Sequence, residues 1–224
     1  MYYLPTNFDL SDAARKFTLD QYQGRFKENF YHGEDTLEFS PQRQAMWKTS
    51  IVGQEINGFL KQYGCDIHWG DILFFISNTK EPFLGNPHID SKLEENKDTF
   101  THNPNSRIKT RFNIRILGNP LDNMTWWGHM EFGDPRLITH EFKYITGETY
   151  FSKNIPGDSM CERWDYLGEP TCVANNYLLP SAFVKTDCAH TVTCSPEPRL
   201  ILTISLDKTI EEISNQLQTN NLHA

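Results

Sequence analysis

Nowhere in the 224 residues does an uninterrupted apolar run approach the ~20 residues that a membrane-spanning helix needs. The opening MYYLPTNFDLSDAARKF lacks both a basic start and an apolar h-region, so no secretory signal is expected. Basic charge is in short supply: 21 Lys and Arg face 29 Asp and Glu, a formal net of −8. Nucleic-acid domains usually carry a basic surplus or stripe, so this balance argues against a nucleic-acid partner and leaves only a local groove open. Cys65, Cys161, Cys172, Cys188 and Cys194 form an odd set without a C-x-x-C pair. A structural zinc site normally shows such pairs, and a secreted disulfide framework favours an even count. Free thiols in a reducing cytosol are the plainer reading. The chain also lacks internal repeats, low-complexity tracts and linkers. Helical patterns do not alternate with strands, which excludes a parallel βαβ architecture.

What is present is a globular composition with bulky side chains. Hydrophobic residues make up 38% and aromatics 13%, including fifteen Phe and five Trp, enough for a dense core. Residues 1–40 show little periodicity and are expected to wrap the outside of that core. From Ser40 or Pro41 to about Tyr63, the apolar residues Met46, Ile51, Ile56, Phe59 and Leu60 predict one amphipathic helix ending before Gly64. Gly53 and Gly58 lower its intrinsic propensity. Short strands are then expected at Cys65–His68, Asp71–Ser77, Pro87–Asp90, Arg111–Leu117, Met124–His129, His140–Ile145, Asn176–Leu179, Ala182–Lys185, His190–Cys194 and Arg199–Ser205. The polar stretch Ser91–Ser106 reads as a mobile loop over a site. Thr209–Leu217 suits a short closing helix. Many short strands broken by Gly, Pro and Asn indicate a β-sandwich or barrel.

The segment Gly85-Asn86-Pro87-His88-Ile89-Asp90 sets two metal ligands two residues apart. On a strand those side chains share a face, so an imidazole and a carboxylate reach one ion from a rigid base. A third ligand must come from elsewhere, and His190, in the strand-like run Thr186–Val192, is the best candidate. Two His and one carboxylate with open positions beside them is the arrangement of non-haem Fe(II) oxygenases. Arg199 follows His190 by nine residues, room for a turn at Ser195-Pro196-Glu197-Pro198 and a returning strand. The inward face of that strand should be Arg199, Ile201, Thr203 and Ser205. A guanidinium inside a barrel needs an anion, and a dicarboxylate would supply one, with Thr203 a step further along.

On these residues the chain resembles the Fe(II)- and 2-oxoglutarate-dependent oxygenases, whose pattern is H-x-D, a distant His, and an Arg on the next strand. The resemblance runs from about Gly70 to Leu206. It extends to Arg111-Phe-Asn-Ile-Arg-Ile-Leu followed by Met124–Trp127, where small members of the family place an Asn. It departs at Ala189, where many relatives have Pro. It implies a mainly β, double-stranded β-helix (jelly-roll, cupin-like) core at about 65–206, flanked by an N-terminal and a short C-terminal helix, in a single cytoplasmic domain of residues 1–224. It implies that His88, Asp90 and His190 hold Fe(II), while Arg199, Thr203 and Asn113 take 2-oxoglutarate. The activity implied is hydroxylation of a small-molecule or amino-acid-like substrate by O₂, coupled to decarboxylation of 2-oxoglutarate. An Asp at position 90 points away from halogenation, which needs a small residue there.

Other residues allow two readings. Arg111 and Arg115 share the face of Asn113 and either meet an anion or form a covered polar face. At least one of Trp126 and Trp127 must be plain packing, since neighbours on a strand face opposite ways. His129 and His140 have no partner at metal spacing, and Cys188 and Cys194 suit packing. Two rival functions are a cupin-type metal dioxygenase or isomerase, which would add a His and not need Arg199, and a non-catalytic jelly-roll binding protein.

Overall fold

The computed structural model describes residues 1–24, 26, 31–37, 40–78, 83–84, 88–96, 99–128, 137–139, 143–145, 148–150, 161–166, 171–188 and 190–221. In chain order the elements begin with β1 (Tyr3–Pro5), α1 (Asp12–Tyr22), β2 (Tyr31–Thr36), α2 (Pro41–Thr49), α3 (Ile51–Lys61) and β3 (Ile72–Asn78). They continue with β4 (Phe83–Leu84), β5 (His88–Asn96), β6 (Thr99–Arg107), β7 (Thr110–Leu117), β8 (Asn123–Gly128), β9 (Leu137–Thr139), β10 (Lys143–Ile145) and β11 (Glu148–Tyr150). The last are β12 (Cys161–Tyr166), β13 (Thr171–Tyr177), β14 (Ser181–Lys185), β15 (His190–Cys194), β16 (Arg199–Leu206) and α4 (Ile210–Asn221).

The protein is mostly β. One antiparallel sheet has the order β1-β14-β7-β16-β3-β2, and a second has β13-β8-β15-β5-β12-β9, with β4 on β15 and β6 on β5. Strand β16 lies in the middle of the first sheet, and all eight of its residues are buried. Its alternation explains how. Leu200, Leu202, Ile204 and Leu206 join Phe74, Phe112, Ile114 and Phe183 in a core closed by Trp47, Val52, Ile56 and Leu60 of α2 and α3. The other face turns Arg199, Thr203 and Ser205 toward the second sheet. There Ala182 and Val184 of β14 pack against Met124 and Trp126 of β8, so the two sheets meet face to face. Among the described residues, no helix is long and apolar enough to cross a membrane.

Several local expectations are corrected. The helix expected over 41–63 is two helices. Ser50 sits between them in an extended conformation, donates to the Trp47 carbonyl and accepts from the Gly53 amide, capping α3. Gly53 is what lets the helices approach: a Cβ there would clash with the Trp47 carbonyl oxygen and lie 2.9 Å from that of Lys48. Residues 65–68 form no strand. Residues 12–22 form an unforeseen helix, α1, started by Ser11, whose hydroxyl accepts from the Ala14 amide. Its buried stripe of Ala14, Thr18 and Tyr22 contains too little apolar surface to show as a pattern. The presumed loop 91–106 is the β5–β6 hairpin, paired from Ser91↔Arg107 to Asn96↔Thr99. Backbone hydrogen bonds alone make that ladder, so polar side chains do not betray it. Helix α4 runs on to Asn221, and Thr209 and Glu212 exchange side chain–backbone hydrogen bonds of 2.6 and 3.2 Å at its start.

Candidate functional site

Strand order brings the distant residues together. β15 lies between β5 and β8, and the Cα of His190 is paired with His88 on one side and Trp126 on the other. Asp90 follows His88 by two residues on β5. The Asp90 backbone is tied down on both edges: its amide donates to Thr186 (3.0 Å) and its carbonyl accepts from Ile108 (3.2 Å). Thr186 in turn donates its hydroxyl to the Ile108 carbonyl at 2.8 Å. The carboxylate is thus held on a rigid base.

Asp90 and His190 are each only 3% exposed. The imidazole Nδ1 is 2.9 Å from the Cys188 carbonyl, which can only accept, so Nδ1 carries the proton. In its neutral form His190 then presents a lone pair on Nε2, and that atom lies 3.8 Å from Asp90 Oδ1. This is too long for a hydrogen bond. Two donors each ~2.1 Å from a shared ion stand ~3 Å apart at a right angle and at most ~4.2 Å apart when opposite. The 3.8 Å separation therefore lies within reach of one ion but is wider than adjacent ligands would stand. The donor set fits a divalent cation on chemistry as well: an anionic oxygen and a neutral nitrogen, both shielded from water. The side chain of His88 lies outside the described residues, and among those described no group of three His, Cys, Asp or Glu forms a metal cluster. His129 and His140, and the side chain of Trp127, also lie outside them.

The second oxygen of Asp90 is taken by an arginine, but not by Arg199. Arg111 reaches across from β7 and engages Asp90 Oδ2 through Nε, with both side chains almost fully buried. Its guanidinium carbon also lies 5.9 Å from the ring centre of Phe75. Nothing in the spacing of Arg111 points to this contact, because its partner comes from the opposite sheet.

One step along the same two strands, Thr203 pairs with Asn113 and donates its hydroxyl to Asn113 Oδ1 at 2.5 Å. Arg199 stands at the far end of β16, six residues before the Ser205 that pairs with Arg111. There its Nε lies 3.4 Å from Asp122 Oδ2, and the side chain is 8% exposed. Arg115 lies nearby and bonds the Leu178 carbonyl at 2.7 Å. Burial, ahead of the opposing pull of Asp122, holds its pKa below the usual arginine value. Asp122, in a turn with no motif, was invisible in the sequence. The interior between the sheets thus carries a polar row, from the Arg111–Asp90–His190 group through Asn113 and Thr203 to Arg199.

The remaining candidates are structural. Trp126 is fully buried, packs on Tyr2 and Tyr3 with ring centroids 6.0 and 6.3 Å away, and donates its indole N–H to the Lys185 carbonyl. Trp126 is thus plain packing, as at least one of the two tryptophans had to be. Cys65, Cys172, Cys188 and Cys194 are free thiols. Burial pushes the Cys194 thiol above its ordinary pKa.

No protein-family model matches the chain, and no curated protein matches it. Among solved structures it is similar to the crystal structure of a Pseudomonas putida prolyl-4-hydroxylase, at 12% identity over 92% of this chain and 91% of that one, with a TM-score of 0.37. A likeness at that level does not distinguish an oxygenase from another two-sheet protein.

Proposed function

We propose that the chain is a non-haem iron oxygenase on a double-stranded β-helix, coupling oxidative decarboxylation of 2-oxoglutarate to hydroxylation of a small-molecule or amino-acid-like substrate. The observation that carries this reading is the buried approach of Asp90 and His190, with His88 paired beside His190 on the adjoining strand. The jelly-roll reading is supported by the strand orders β14-β7-β16-β3 and β13-β8-β15-β5, between which the chain passes repeatedly.

In this reading His88, Asp90 and His190 hold Fe(II). When bound, the iron and the 2-oxo acid supply the oxidising chemistry. The protein's own part is position, charge and dryness. Cys188 fixes the tautomer and plane of His190 through its carbonyl. Arg111 holds one oxygen of Asp90 and leaves the other facing His190. Because Thr203 donates to the Asn113 oxygen, the amide hydrogens of Asn113 are left to donate to a carboxylate. Arg199 offers the guanidinium that a distal carboxylate requires.

The test is direct. Anaerobic protein given Fe(II) and then 2-oxoglutarate should develop a weak visible charge-transfer band, and O₂ should then release succinate. His190→Ala should lose metal binding. Wild-type protein that takes up no divalent metal, or a His190→Ala variant that takes it up as well as wild type, would refute the reading.

A further inference from the structure

Resting on the reading of Arg199 as the cosubstrate's anion partner, we propose that Asp122 is a positioning residue that sets the affinity for the distal carboxylate of the 2-oxo diacid by orienting the Arg199 guanidinium. The two oxygens of Asp122 are used differently. Oδ1 accepts from the Ser195 amide at 2.7 Å and the Ser195 hydroxyl at 2.8 Å, tying the β7–β8 turn to the β15–β16 turn. Oδ2 faces Arg199 Nε at 3.4 Å. The brace between the turns needs only the first oxygen. The second is spent on the arginine.

Gly118 completes the sleeve around that side chain. It has a φ of +138°, and a Cβ there would lie 3.3 Å from Arg199 Cγ and 3.7 Å from Arg115 Cδ. A glycine thus makes room for two arginine stems at one turn. Among the described residues, Asp122 is the carboxylate that acts on both Arg115 and Arg199, so positive charge outnumbers negative there, at a site where Arg199 is 7% exposed. A buried surplus cation calls for an anion. Arg199 Nε makes no hydrogen bond among the described residues, so the Asp122 contact acts through charge and position. Held by its Nε edge, Arg199 keeps its two Nη groups, the fork that matches a carboxylate, for the ligand.

The experiment compares wild type, Asp122→Asn, Asp122→Glu and Arg199→Ala by titrating the anaerobic Fe(II) protein with 2-oxoglutarate and with 2-oxobutanoate, which lacks the distal carboxylate. Asn can keep its oxygen on Ser195 while placing a donor against Arg199. Asp122→Asn should therefore weaken 2-oxoglutarate binding roughly tenfold and leave 2-oxobutanoate binding as in wild type, while its unfolding midpoint falls because a buried guanidinium loses its counter-charge. Asp122→Glu, which keeps the charge, should recover most of the affinity. Unchanged or tighter 2-oxoglutarate binding in Asp122→Asn, or equal loss for both acids, overturns the assignment. Equal loss in the Asn and Glu variants does so too, since the turn rather than the charge would then govern binding. Normal binding by Arg199→Ala would instead remove Arg199 from the cosubstrate site, a failure of the functional reading itself.

Discussion

Replacing Arg111 by Met should leave the Asp90 carboxylate buried beside an apolar chain. Asp90 and Arg111 have side chains 4% and 3% exposed, so water cannot take over the lost contact. Breaking such a pair from one side costs about 3–5 kcal/mol, because the surviving charge keeps its desolvation penalty and loses the guanidinium. For a chain of this length, each kcal/mol moves the unfolding midpoint by ~2–4 °C. The metal-free variant should therefore melt about 6–20 °C below wild type. His190, 3.8 Å away, is able to take up a proton and soften the loss, which favours the lower part of that range. Two further arms separate charge from packing. Adding Asp90→Asn to Arg111→Met should restore most of the stability, since neither charge then remains. Mn(II) should raise the midpoint of Arg111→Met more than that of wild type, because the ion replaces the missing cation. Urea unfolding with an unchanged m-value is the assay. A loss under ~1 kcal/mol, or a double variant as unstable as the sum of the singles, would show that the ion pair does not hold this part of the interior.

Two glycines of α3 should respond in opposite directions. Gly53→Ala should destabilise by about 1–3 kcal/mol, as its Cβ meets the Trp47 and Lys48 carbonyls and the Trp69 ring. Gly58→Ala, with nothing within 4 Å of the new Cβ, should stabilise by about 0.5–1 kcal/mol through helix propensity; chemical denaturation checks both. Cys172 should be alkylated first by iodoacetamide at neutral pH, while buried Cys65 and Cys194, whose thiols burial pushes above their ordinary pKa, should stay protected until unfolding. Peptide mass spectrometry before and after denaturation reads the order, and early labelling of Cys194 would contradict its burial.

How much of this was legible depends on the range of the interaction. The strands β7, β14, β15 and β16 follow from local composition and from the turn residues between them, because a strand whose two faces meet different surroundings writes that difference into sequence at period two. That His88 and Asp90 stand two apart on one strand is likewise a property of neighbouring residues. The break at Ser50 was hidden because it depends on how closely Gly53 brings two helices together, and the β5–β6 hairpin because its ladder is made of backbone. Sequence by itself determined a mainly β chain and which residue types were available for a site. Tertiary structure alone decided that β15 runs beside β5, so that His190 meets Asp90, and that the arginine on that carboxylate is Arg111, while Arg199 rests against Asp122. The physical reason is that charge pairing across two facing sheets joins residues far apart in the chain. Their spacing obeys no local period, so only the fold brings them within reach.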